Sequence, residues 1–144
     1  MLFVVDTCII NKLIDGKLSL DELPLNSSFF ASHIQIDEIN KTQDSERRAQ
    51  LFLKFTEVIP KIIPTKSAVW DVSRWDQAEL SDGDLFNYIK QGLDILNKSK
   101  PNNVNDALIA ETAIVNGYIL LTTDRDLAEV AKKYGANVID FEAK

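Results

Sequence analysis

The sequence predicts an α/β fold with a central, mostly parallel sheet of five strands flanked by helices. Three observations carry that prediction. Short apolar runs rich in β-branched residues alternate along the chain with amphipathic helical stretches, the order that builds βαβ units. The strongest runs are continuously apolar, as strands covered on both faces require. The chain of 144 residues is 45% hydrophobic and 26% charged, an ordinary globular balance at a length that suits a single domain spanning residues 1–144.

Leu2-Phe3-Val4-Val5 is the first such run and is expected at the centre of the sheet. Phe29-Phe30-Ala31 reads as a weaker second strand, and Lys61-Ile62-Ile63, stopped by Pro64, as a third. Between them, residues 45–58 carry Leu51, Phe52, Phe55 and Val58 on one helical face, with Arg47, Arg48, Gln50 and Lys54 on the other. Residues 67–77 place Ala68, Val72 and Trp75 at helical spacing, and residues 84–96 do the same with Leu85, Ile89, Leu93 and Leu96. Ser81 and Asp84 form a variant capping box ahead of the latter. Residues 104–115 are apolar on nearly every side and predict a buried helix ending before Gly117. Residues 118–121 predict a strong fourth strand. Leu127, Val130, Ala131 and Tyr134 mark a last helix stopped at Gly135, and residues 137–139 a short fifth strand.

Composition narrows the function classes. Cys8 is the only cysteine, which excludes an intramolecular disulfide and zinc-knuckle spacing. The apolar start stops at Asp6, too early for a signal-peptide core or a membrane span, so a cytoplasmic protein without membrane contact is expected. The formal net charge of −6 opposes general attraction to a polyanion, so any nucleic-acid contact must be local. Lys41, Arg47, Arg48 and Arg125 are the candidate basic contacts, with Lys54, Lys90, Lys98 and Lys100 in reserve.

The acidic residues fall at telling places. Asp6 directly follows the first strand and Asp124 lies just past the fourth, so both emerge at the carboxyl edge of one parallel sheet, where ligands of such folds bind. Glu38 follows the second strand, Asp106 opens the buried helix, and Thr7 and Thr122 flank the sites with hydroxyls. Asp6, Asp106 and Asp124 each also sit near a helix start, where Asp serves as a cap. Their convergence is what points to chemistry. Two carboxylates about 4 Å apart repel by roughly 4 kcal/mol at an effective dielectric of 20, which a cation relieves. Oxygen ligands without His or Cys suit Mg²⁺ or Mn²⁺, and with them phosphoryl transfer. Cys8 lacks the partners of a nucleophile, and His33, the one histidine, belongs to a different segment.

At these residues the sequence resembles the PIN-domain family, and within it VapC-type toxin ribonucleases. The strand running into Asp6-Thr7, the segment SHIQIDEI from Ser32 to Ile39, the helix NDALIAETA opening on Asp106, and ILLTTDRDL with its Thr-x-Asp-x-Asp all match the family pattern in order. The resemblance implies a Rossmann-like sheet and a Mg²⁺- or Mn²⁺-dependent endoribonuclease acting on RNA. Its catalytic and metal-holding acids would be Asp6, Glu38, Asp106 and Asp124, with Asp126 as an auxiliary ligand. It further implies an antitoxin protein partner and a homodimer. Cys8 stands where the family often has Asn or Ser, Leu127 where it usually has Phe, and the stretch from Glu38 to Asp106 is long. The rival reading is a PIN-like interaction module without catalysis, or an RNA-processing subunit.

Overall fold

The protein is described by a computed structural model covering residues 1–24, 26–59, 61–62 and 84–140. Its elements follow in the order β1 (Leu2–Val5), α1 (Thr7–Ile14), a 3₁₀ turn (Leu20–Glu22), β2 (Ser28–Ala31), α2 (His33–Asn40), α3 (Ser45–Val58) and β3 (Lys61–Ile62). Then come α4 (Asp84–Asn97), α5 (Asn103–Asn116), β4 (Ile119–Thr122), α6 (Arg125–Lys133) and β5 (Val138–Asp140). The helix expected over residues 67–77, both tryptophans and Ser81 lie outside the described residues.

All five strands pair in parallel, in the order β3-β2-β1-β4-β5. The chain therefore winds outward from β1 through β2 to β3, then returns to the other side of β1 for β4 and β5. The strand order reverses between β1 and β4, and a crevice opens beyond their carboxyl ends. Phe3 faces Ile119 and Val5 faces Leu121 across this pair.

Alternation along the two central strands sends side chains into two cores, one on each face of the sheet. Phe3, Val5 and Leu121 join Ile9, Ile10, Leu51 and Phe55 under α1 and α3. Val4 and Leu120 join Ile89, Leu93, Leu108 and Leu127 under α4, α5 and α6. Each such side chain taken out of water contributes roughly 1.5–3 kcal/mol before entropy is counted, enough to fix the strand ends rigidly. Helix α5 ends where the sequence placed its stop, with Gly117 in the left-handed region at φ 71°.

Helix α2 was not foreseen. Its isoleucines at Ile34 and Ile36 alternate like strand residues, but Ser32 and Gln35 cap it reciprocally: Gln35 Oε1 accepts from Ser32 N at 3.0 Å and Ser32 Oγ accepts from Ile34 N at 3.2 Å. Gln35 Nε2 then donates to Val5 O at 2.8 Å, tying α2 to the end of β1.

Candidate active site

Asp6 continues the β1–β4 ladder by donating its backbone N–H to Leu121 O at 2.9 Å. It occupies the position before α1, yet its side chain makes no capping bond to that helix. Instead Oδ2 accepts from Thr122 Oγ1 at 2.8 Å and from Cys8 Sγ at 3.1 Å. Thr122 Oγ1 in turn accepts from Asp124 N at 3.0 Å, so one hydroxyl ties the acid after β1 to the loop after β4. Asp124 is the cap of α6: its Oδ1 accepts from Asp126 N at 3.0 Å and Leu127 N at 3.2 Å.

Glu38 projects from α2, and its Oε1 accepts from Thr7 Oγ1 at 2.7 Å. Asp106 sits in the first turn of α5 and is 9% exposed. Asp6, Glu38, Asp106 and Asp124 together line one cavity of about 290 Å³ at the switch point between β1 and β4. Asp126 is not among the residues lining it.

The electrostatics register the crowding. Burial, then the Asp6 carboxylate, pushes Glu38 up to about 7, against the hydrogen bonds from Thr7 and Asn105. Burial raises Asp106 further, and Asp6, Asp124 and Glu38 all push the same way. Asp6 is raised chiefly by burial, with the hydrogen bonds from Cys8 and Thr122 opposing. The Cys8 thiol is lifted well above the usual thiol range by burial and by Asp6, so it stays protonated and donates rather than attacks. His33 is buried at the start of α2 and does not line the cavity.

Among the basic candidates, Lys41 and Arg125 are exposed, and the charge of Lys41 opposes the rise at Glu38. Arg47 donates to Asp15 and Asn11, and Arg48 Nη1 donates to Thr42 O at 2.9 Å, so both guanidinium groups are bound to the protein itself. Residue-level reading missed the donor roles of Cys8 and Asn105 and the anchor Gln35. Gln35 alone had a signal, its place three residues after Ser32.

Among the described residues no three of His, Cys, Asp or Glu are placed closely enough together to hold a metal ion as they stand. A donor set of four carboxylates, three of them held back from ionising by burial and by one another, fits a hard divalent cation that keeps part of its shell as water.

The whole-chain architecture is that of several solved structures. VapBC2 from Rickettsia felis, solved bound to a DNA fragment from its promoter, matches with a TM-score of 0.60 at 17% identity, over 97% of this chain and 98% of that one. VapBC-1 from nontypeable Haemophilus influenzae matches with a TM-score of 0.57 at 18% identity, over 99% of each chain. VapBC-5 from Mycobacterium tuberculosis, of the VapBC family of toxin-antitoxin systems, matches with a TM-score of 0.52 at 16% identity, over 96% of this chain and 98% of that one. No curated protein sequence matches. The family profile described as PIN domain matches residues 41–133, a span that takes in α3 through α6 with Asp106 and Asp124. The chain belongs to the PIN domain family.

Proposed function

We propose that this chain is a Mg²⁺- or Mn²⁺-dependent endoribonuclease, acting as one domain over residues 1–144 and serving as the toxin of a toxin–antitoxin pair. One observation carries the reading: Asp6, Glu38, Asp106 and Asp124, from four separate elements, line a single cavity at the switch point of a parallel sheet. A bound divalent cation would polarise a phosphoryl oxygen and acidify an attacking water. The four carboxylates would hold it, with Asp126 auxiliary.

The chain's own residues do the rest. Thr122 and Cys8 fix Oδ2 of Asp6, and Thr7 fixes Oε1 of Glu38, so neither carboxylate needs to reorganise when a ligand arrives. One of the carboxylates would accept the proton of the attacking water, a role for which burial and acidic neighbours raise Glu38 in the cation-free site. Of the four basic candidates, Lys41 and Arg125 are exposed and would meet the phosphate backbone of RNA, since Arg47 and Arg48 are bound within the protein, and exposed Lys100, whose charge acts on Asp106, would join them. The likeness to chains solved as VapBC pairs supports an antitoxin partner, and the homodimer and cytoplasmic setting are carried over from the family resemblance and the sequence alone.

Purified protein should cut single-stranded RNA with Mg²⁺ or Mn²⁺ and stop on chelation, and Asp6→Asn and Asp106→Asn should each lower the rate by at least about a hundredfold. Cutting that survives chelation, or either variant at full rate, overturns the mechanism. Absence of cutting by the wild type, with retained partner binding, favours the interaction module.

A further inference from the structure

The connection from α4 to α5 is held more firmly than its exposed position requires. Lys98 and Ser99 both take the left-handed conformation, at φ 61° and 60°, which is costly for residues with a Cβ. Ser99 N donates to Asp94 O at 3.1 Å, Lys100 N to Asn97 Oδ1 at 3.3 Å, and Asn103 N to Lys100 O at 3.1 Å. The last bond closes a β-turn over Lys100-Pro101-Asn102-Asn103, in which Pro101 presets its own φ and Asn102 follows at φ −72° and ψ −8°. Asn103, 1% exposed, locks the turn from inside. Its Nδ2 donates to Asp94 Oδ1 at 2.7 Å and to Asn97 Oδ1 at 2.8 Å, and its Oδ1 accepts from Asn97 Nδ2 at 2.9 Å. Lys90 meets the other oxygen of Asp94 at 2.8 Å, so the carboxylate of this network is already paired.

The turn ends at the acids. Asn102 lines their cavity and its carbonyl accepts from Asp106 N at 2.9 Å, so the backbone is hydrogen-bonded without a break from Lys100 to Asp106. The charge of exposed Lys100 acts on Asp106, as that of Lys41 acts on Glu38. Among the described residues the Lys100 ammonium makes no hydrogen bond or ion pair, whereas Lys90, in the same network, is taken up by Asp94. We propose that Lys100 contacts the RNA phosphate neighbouring the scissile one on the Asp106 side of the cavity, and that Asn103 is its positioning residue. The proposal rests on the ribonuclease reading of the four acids. A lysine is a point charge on a flexible stem, so what the protein fixes is the place of its Cα, and the locked turn does that. A phosphate contact carries no base information, so Lys100 adds affinity and register alike for every sequence.

The test follows kcat/KM for one single-stranded RNA oligonucleotide, cut by the full chain with Mn²⁺, across a series of salt concentrations. Each phosphate contact to a single strand contributes about 0.7 to the slope of log affinity against log salt. Lys100→Ala should raise KM by at least about threefold and flatten that slope by about 0.7, with kcat little changed, while Lys100→Arg keeps the wild-type slope. Lys98→Asn removes a charge two residues away with a residue type that tolerates the left-handed turn, and should leave the slope as it is. Asn103→Ala should flatten the slope although it removes no charge, which a loss of stability alone does not do; thermal melting of each variant reports folding. A wild-type slope in Lys100→Ala, or an equal flattening in Lys98→Asn, overturns the contact, and a wild-type slope in Asn103→Ala overturns the positioning role, each leaving the nuclease intact. Absence of any cutting by the wild type overturns the nuclease reading and the contact together.

Discussion

Asp6 accepts from two side chains, Thr122 and Cys8, on the same oxygen, Oδ2. The carboxylate is thereby held by groups from β4 and α1 while Oδ1 stays outside that pairing, the division of labour expected of an acid that must be oriented before it binds. Thr122→Val removes the donor to Asp6 and the acceptor of Asp124 N in one step. It should weaken Mn²⁺ binding by about tenfold, read by calorimetry, and cost about 1–3 kcal/mol of stability in chemical denaturation. Glu38 supplies a pH signature. Its unfolded value of 4.5 rises to about 7 in the fold, so its contribution to stability is complete below 4.5 and is lost as the pH climbs through 7. With a chelator present, denaturation should show stability falling over that window by on the order of 2–3 kcal/mol more than in Glu38→Gln. An identical slope in the two proteins would remove the pKa shift from the account. Asp6, Asp106 and Asp124 could be read in the sequence because each sits at a strand end or helix start that the apolar pattern had already located, whereas Glu38 lies late in the unforeseen α2 and was picked out by the family pattern. The Cys8 thiol could not be read there, since it donates to Asp6 Oδ2 while accepting from Thr123 N, a bond that exists only once β4 has brought Thr123 beside residues distant in the chain.

At the scale of elements, α2 is the piece on which the site turns, because it carries Glu38 and is held to β1 by the Gln35 bond and by the burial of Ile34 and Ile39. Ser32 is fully buried and caps α2, and Gln35 links the same turn to Val5 O. Ser32→Ala should cost about 1 kcal/mol, seen as a lower melting temperature, and should weaken Mn²⁺ binding as Glu38 loosens. An unchanged Mn²⁺ affinity would mean that α2 is held by its apolar contacts alone. This helix escaped the sequence reading for a physical reason. In a segment of only eight residues, Ile34 and Ile36 give a period of two, and tertiary packing of Ile34 into one core and Ile39 into the other overrides it. The long elements were legible. Helix α3 has the bounds its periodicity predicted, and β4 differs by one residue at each end from the expected run.

Over the whole molecule, the winding of the chain does what no local feature could. Strand order β3-β2-β1-β4-β5 puts the ends of the first and fourth strands side by side, and the acids gather there because the topology reverses at that point. The sequence announced parallel strands through their continuous apolar runs, but it carried no record of their order. A net charge of −6 then leaves the molecule with little general affinity for a polyanion, so the proposed RNA contact has to be local. The proposal turns on whether the four carboxylates bind a divalent cation. Its most direct measurement is a calorimetric Mn²⁺ titration of the wild type beside Asp106→Asn, with thermal melting of both. The account predicts saturable binding and a metal-induced rise in melting temperature for the wild type, both lost in a variant that still folds. No saturable binding by the wild type, or an isotherm unchanged in Asp106→Asn, would contradict it.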